Sequence, residues 1–218
     1  MGLRAPYLEF IEAAIEEAFG DARNLRMLEL GDQVINDRSI NEKTGKAYFT
    51  NRGFEHVSVD IKRHHDELIL DLRKPEQFED LVDSWDVITN SGTTEHVEPV
   101  ETQYECFQII HDCLKVGGIA VHLNPDAEAR DNSGIWKDHC RIYYSKSFYE
   151  MLARECEYEL LANTVINGLR CAAMKKTKEG PFMVDRADFL EQIAEREVDP
   201  RAIGFFRRLK RRIRGEVV

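Results

Sequence analysis

Two short apolar runs, each closing on a carboxylate or a glycine, constrain the fold more than any other part of the chain. They are Met27-Leu28-Glu29-Leu30-Gly31 and His56-Val57-Ser58-Val59-Asp60-Ile61. Runs of this length and apolarity read as strands covered on both faces, which is how parallel sheets are built. In an open α/β sheet the ligand crevice lies at the carboxyl ends of such strands. An acid closing the second strand can accept hydrogen bonds from both hydroxyls of a ribose. The expected ligand is therefore a nucleoside-containing cofactor.

The rest of the chain alternates strand and helix. An amphipathic helix is expected from about Tyr7 to Phe19, with Leu8, Ile11, Ala14, Ile15 and Ala18 on one face and Gly20-Asp21 ending it. The first strand spans Leu25 to Leu30. A polar stretch follows from Asp32 to Phe54, read as a long loop with a short helix near Lys46 to Asn51. Long loops inside compact domains are often functional, and this one lies over the ligand edge. Further strands are expected at Glu67–Leu70, Trp85–Asn90 and Ile119–Leu123. Helices are expected at Pro75–Ser84, with Phe78, Leu81 and Val82 inward, at Val100–Leu114 and at Ser147–Cys156. Asn167-Gly168 marks a hairpin between strands at 158–166 and 169–176. Alternation of this kind predicts a mainly parallel sheet with helices on both faces.

These landmarks, in this order, resemble the class I methyltransferases that use S-adenosyl-L-methionine. The resemblance covers residues 24–176. Glu29-Leu30-Gly31 is similar to the start of the family's first loop, and Asp60 to its ribose-binding acid, with Ile61 beside it. Asp71-Leu72 resembles the acidic position near the adenine. Asn90-Ser91-Gly92, followed by Glu95-His96-Val97, resembles the fourth strand end and its loop. Leu114-Lys115-Val116-Gly117-Gly118 resembles the turn before the fifth strand. The resemblance implies an α/β, doubly wound, mostly parallel seven-stranded Rossmann-like sheet with an antiparallel C-terminal hairpin. It implies a methyltransferase domain, placed with the N-terminal helix over 1–180, and the residues beyond read as a helical basic tail over 181–218. The implied cofactor-binding set is Glu29, Gly31, Gln33, Asp60, Ile61, Asp71, Leu72, Asn90, Ser91 and Gly92. One departure stands out. The family's first loop carries alternating glycines, whereas Gly31 is followed by Asp32-Gln33-Val34. Gln33 and the long loop are expected to hold the methionine end instead.

His96 and His139 are the candidate bases, because imidazole takes a proton near neutral pH. His96 follows the fourth strand, where donor and acceptor meet in the family. His139 resembles the histidine that precedes a Tyr-Ser helix start in small-molecule methyltransferases. Glu95 reads as a structural partner or helix-start acid. His122 either faces the acceptor or packs on an adjoining helix. Trp136 and Tyr143 either wall the acceptor site or pack in the core. His64-His65-Asp66 reads as a solvated turn, and Asp126, Asp131 and Asn132 only faintly resemble a catechol-methyltransferase metal set. No metal is expected.

The net charge of −10 over 218 residues argues against broad nucleic-acid binding, which needs a basic footprint. Asn90-Ser91-Gly92-Thr93 also lacks the Asn/Asp-Pro-Pro-aromatic pattern of enzymes that methylate base amino groups. Five scattered cysteines without CxxC spacing suit core thiols in a reducing, cytoplasmic setting. Phe206, Leu209 and Ile213 share a helical face among the arginines of segment 205–214. That segment reads either as a weak contact with anionic lipid or a phosphate-bearing carrier, or as a solvated terminus.

The expected activity is methyl transfer to oxygen or nitrogen of a small molecule, including a sugar or a lipid- or nucleotide-linked saccharide. Two alternatives stay open. One is a catalytically silent methyltransferase-like interaction module. The other is a Rossmann NAD-dependent oxidoreductase or epimerase, whose Gly-x-Gly-x-x-Gly loop and Tyr-x-x-x-Lys pair the chain lacks. The acceptor and the oligomeric state are not encoded in any motif.

Overall fold

The computed structural model describes residues 2–20, 24–63, 65–128, 140–182 and 184–195. Helix α1 runs Ala5–Phe19, opened by a proline in its first turn and closed by Gly20 at φ 59°, whose amide donates to the Glu16 carbonyl. Strand β1 is Arg26–Leu30. Helix α2, Gly45–Thr50, is capped by the Thr44 hydroxyl, which accepts from the Ala47 amide. Strands β2 (Glu55–Asp60) and β3 (Leu68–Ile69) follow. After a 3₁₀ helix at Pro75–Leu81 come β4 (Trp85–Ser91), α3 (Gln103–Cys113) and β5 (Leu114–Pro125). Then come β6 (Ile142–Tyr144), α4 (Lys146–Glu155), β7 (Tyr158–Ile166), β8 (Leu169–Lys176), α5 (Arg186–Glu191) and β9 (Ile193–Glu195).

Seven strands form one sheet in the order β3-β2-β1-β4-β5-β8-β7. β1 to β5 are mutually parallel, and β8 runs antiparallel between β5 and β7. The β7–β8 turn has Asn167 at φ 49° and Gly168 at φ 78°. Positive φ at both central residues matches the right-handed twist of the flanking strands.

Strand alternation divides the core into two layers. Met27, Val87, Ile119, Val121 and Cys171 pack under α1 and α2, against Leu8, Ile11, Ile15 and Phe49. Leu28, Leu30, Ile88, Ala120 and Met174 pack under α3 and α4, against Phe107, Ile110, Phe148 and Leu152. Val184, Phe189 and Ile193, from the segment beyond the hairpin, are buried in this second layer. All five cysteines are buried. Among the described residues no helix is long and apolar enough to cross a membrane.

Four local expectations are corrected. Val82 is 45% exposed. Residues 75–81 form a 3₁₀ helix with three residues per turn, so Leu81 rather than Val82 follows Phe78 on the inner face. The helix expected from Val100 begins at Gln103, preceded by a short 3₁₀ turn. β5 begins at Leu114, because residues 115–118 form an irregularity within the strand and not a turn before it; the register jumps from Trp85↔Leu114 to Val87↔Ile119. Finally, the segment after Pro181 is not helical throughout: β9 pairs with β6 as a second, two-stranded sheet.

Candidate active site

The chain leaves β1 toward β2 and β3 on one side and returns through β4 toward β5 on the other. In open α/β sheets such a reversal is where the ligand crevice lies, here at the carboxyl ends of β1 and β4. Gly31 turns the chain there at φ 81°, its amide donating to the Val59 carbonyl at 2.7 Å. A Cβ on Gly31 would stand 2.6 Å from Thr93 Oγ1 and 2.8 Å from Gln33 Nε2. Both the conformation and the space therefore require glycine. Thr93 Oγ1 donates to the Leu30 carbonyl at 2.6 Å and accepts from Gln33 Nε2 at 3.2 Å, tying the β4 loop to the tip of β1.

Asp60 closes β2 half-buried. Its Oδ2 accepts from the Asp32 amide at 3.3 Å and its Oδ1 from the Lys62 amide at 3.0 Å. Ile61 beside it is 55% exposed, an apolar surface at the mouth of the crevice. Ser91, at the tip of β4, is buried with its Oγ lacking a hydrogen-bond partner, and Gly92 follows at φ 69°. These residues gather at adjacent strand ends.

Others of the expected set are engaged elsewhere. Glu29 is 1% exposed. It accepts the Gln33 amide at 3.1 Å and lies 3.7 Å from His56 Nε2, beneath the start of α2. Burial raises its pKa above the ordinary carboxylate value. Asp71 pairs with Arg73 at 2.7 Å, and this hydrogen-bonded guanidinium lowers its pKa. Leu72 is a core residue whose carbonyl accepts from Cys106 Sγ. The Asn90 side chain turns into the α3 layer, where Oδ1 accepts the Thr94 amide and Nδ2 donates to Thr94 Oγ1 at 2.9 Å. The side chains of Asn90 and Leu72 are therefore both committed to the core.

The turn after β4 is built on a buried polar network that individual motifs do not reveal. Thr94, Glu95, Gln103 and Asn124 are all 0% exposed. Gln103 Nε2 donates to the Thr94 and Val97 carbonyls, clamping the turn after β4. The Tyr144 hydroxyl donates to Gln103 Oε1 and lies 2.9 Å from Thr94 Oγ1. The Tyr149 hydroxyl donates to Asn124 Oδ1 at 2.8 Å, and Asn124 Nδ2 donates to Glu95 Oε2 at 2.9 Å. Burial pushes the Glu95 carboxyl up to about 7. Chain spacing hides this network, because its members come from the 3₁₀ turn after β4, from α3, β5, β6 and α4.

His96 stands at the surface of this network, with its side chain 42% exposed. His122 stacks on Phe107 at 5.4 Å and is 1% exposed; burial lowers its pKa to about 3, so it is a neutral core residue facing the α3 and α4 layer. Tyr143 is buried in β6. His65 pairs with Asp32, and together with Glu67 they bring three potential ligand atoms within 4.8 Å of one another. His139, Trp136, His64, Asp131, Asn132 and the basic segment 205–214 lie outside the described residues.

No protein-family model matches the chain, and no curated protein matches it. Solved structures do. The 1,6-didemethyltoxoflavin-N1-methyltransferase of Burkholderia thailandensis, with 1,6-didemethyltoxoflavin and S-adenosylhomocysteine bound, superposes at a TM-score of 0.54 and 14% identity, over 79% of this chain and 80% of that one. The chain has the class I methyltransferase fold. The N-methyltransferase NodS of Bradyrhizobium japonicum WM9, in complex with S-adenosylhomocysteine, matches at a TM-score of 0.51 and 12% identity, over 78% of this chain and 87% of that one. The PH0226 protein of Pyrococcus horikoshii OT3 matches at 0.53 and 17%, over 78% and 89%. In this methyltransferase fold the strand order and the antiparallel β8 agree with the seven-stranded sheet expected from the sequence.

Proposed function

We propose that this protein transfers a methyl group from S-adenosyl-L-methionine to an oxygen or nitrogen of a small molecule. The observation that carries the reading is the cluster of Gly31, Asp60, exposed Ile61 and the unpartnered Ser91 Oγ at neighbouring strand ends. This set suits a nucleoside ligand: a carboxylate for ribose hydroxyls, an apolar surface for the base, and a close backbone approach at Gly31. Structural neighbours in the same fold were crystallised with S-adenosylhomocysteine, one of them with a small-molecule ligand as well.

When bound, S-adenosylmethionine supplies a methyl group that is already electrophilic. The chain's own residues then mainly align the partners, an orientation effect. Asp60 holds the sugar, Gly31 and Thr93 set the floor of the crevice, and Ile61 shields the base from water. His96 takes the proton of a hydroxyl or amine acceptor, with His139 as the second candidate. Within the small-molecule class, a sugar or a lipid- or nucleotide-linked saccharide is the finer assignment. Its support is the arginine-rich segment 205–214, whose charge complements phosphate.

Calorimetry of the purified protein with S-adenosylhomocysteine, beside NAD, tests the reading. Binding of the first alone is expected. Binding of NAD alone would favour an oxidoreductase, and binding of neither a silent module. A screen of sugar and saccharide acceptors for methyl incorporation then tests the acceptor class.

A further inference from the structure

Asp32, His65 and Glu67 come from two loops and meet beside Asp60. Asp32 follows Gly31 at the end of β1, and its amide donates to Asp60 Oδ2 at 3.3 Å. His65 and Glu67 lie between β2 and β3. The His65 Nδ1 contacts Asp32 Oδ2, and the His65 amide donates to Glu67 Oε2 at 2.8 Å, so this one residue is held against both acids. Each of the three offers one ligand atom, and these atoms lie within 4.8 Å of one another. Among the described residues no other group of His, Cys, Asp and Glu side chains gathers in this way. The acids are not a solvated patch. The Asp32 side chain is 5% exposed and Glu67 is 2% exposed. Burying carboxylates is costly unless a positive charge compensates them. Lys46, which reaches this loop from α2, pairs instead with Asp66 at 2.8 Å.

We propose that Asp32, His65 and Glu67 form a binding site for a divalent transition cation of the zinc class. Three atoms no more than 4.8 Å apart share a centre within about 2.8 Å of each, so shifts of about 0.7 Å bring all three to the roughly 2.0–2.2 Å of zinc–nitrogen and zinc–oxygen bonds. The imidazole, exposed on the solvent side, supplies most of this movement by swinging outward to admit the ion between Nδ1 and Asp32 Oδ2. A carboxylate has about four lone-pair sites, so the ion adds to the hydrogen bonds these acids accept and need not displace them. Two carboxylates and a neutral imidazole balance its charge. The imidazole also selects the metal, because magnesium and calcium prefer oxygen ligands alone. Water completes the coordination on the open side. The bound ion joins the loop after β1 to the loop before β3, on either side of Asp60. Sequence reading missed the cluster because Asp32 precedes His65 by 33 residues, and His64-His65-Asp66 by itself reads as a turn. The site needs only these three side chains, so it stands independently of the methyl-transfer reading.

Calorimetric titration of the full chain, first dialysed against a chelator, with zinc chloride tests this. Saturable binding is expected, with magnesium chloride binding far more weakly. Partners outside the ligand shell are typically worth about 10–100-fold in metal affinity, so loss of a ligand in His65→Ala should weaken zinc binding at least about tenfold. Glu67→Gln should weaken it as well. His65 is exposed, so its truncation leaves the core intact, and circular dichroism checks that it does. Zinc should also raise the thermal midpoint of wild type more than that of His65→Ala, because a ligand held only by the folded state stabilises it. Nitrogen-15 NMR of the His65 ring reads the same event on unmodified protein, where zinc is expected to shift the Nδ1 resonance. No saturable zinc binding by wild type would overturn the site. So would a His65→Ala variant that binds zinc as tightly as wild type, or a His65 ring that zinc leaves unmoved.

Discussion

A Cβ placed on Gly45 would stand 2.1 Å from Glu29 Oε2. The first residue of α2 thus rests directly on the acid of β1, and no other side chain fits between them. The Gly45 amide also donates to the Gln33 carbonyl at 2.8 Å, so helix, loop and strand meet at this point. Gly45→Ala is expected to force α2 or the Glu29 carboxyl aside, at an overpacking cost of about 1–3 kcal/mol. Urea denaturation monitored by fluorescence measures it. A variant as stable as wild type would show that the loop yields freely.

Glu95 makes stability depend on pH. Burial disfavours the charged form and pushes its folded pKa up to about 7, against an ordinary value of 4.5. The folded state therefore holds a proton that the unfolded state has already lost, and the slope of unfolding free energy with pH is negative in that window. The contribution is fully present below about 4.5 and lost as pH rises through about 7, amounting to about 3 kcal/mol at one pKa unit per 1.36 kcal/mol. Glu95→Gln removes the window, so its stability relative to wild type should rise between these two pH values. Glu29, also raised by burial, adds a slope of the same sign. Denaturation midpoints across the range test the sign, and a relative stability that falls with pH would contradict it.

Arg170 is buried with Asp126, the pair meeting at 2.8 Å with side chains 5% and 2% exposed. Removing one partner leaves the other charge without compensation in the core, which costs about 3–5 kcal/mol. Asp126→Ala should show that loss. Glu128→Ala should not, because Glu128 touches the same guanidinium from a half-exposed position where water screens it. Comparing the two variants by thermal and chemical unfolding is an internal control on geometry.

Asp60→Ala should weaken S-adenosylhomocysteine binding by at least about 100-fold. Hydrogen bonds to a charged group contribute about 1.5–3 kcal/mol each, and a ribose would place two on this carboxylate. Calorimetry measures the change. Unaltered affinity would move the sugar elsewhere in the crevice.

The parts of the fold that were readable in the sequence are those fixed by local pattern. The apolar spacing of Leu8, Ile11 and Ile15 gave α1, and the Asn167-Gly168 pair located the hairpin to the residue. The strand tips bearing Gly31 and Asp60 were equally plain, since each follows an apolar run. What long-range packing decides was not readable. Glu95 reads as a structural partner or a helix-start acid, and it is both, but nothing near it in sequence signals its burial; Tyr144 and Tyr149 arrive about fifty residues later. Asn90 lies near the end of β4 and Leu72 just beyond β3, but the face each side chain takes depends on which helix layer covers it. The pairing of β6 with β9 joins segments some fifty residues apart, and three-residue strands carry too little pattern to announce themselves.

The placement of β8 bears on how the chain matures. β1 to β5 are complete once Pro125 has been made, yet the outer edge of β5 must wait for Leu169–Lys176 before it is covered. During synthesis the ribosome therefore presents a half-built sheet with an open strand edge, a template for stray pairing. The reversed strand acts as the closing seam, so truncation anywhere before Lys176 should yield insoluble protein and not a smaller folded domain.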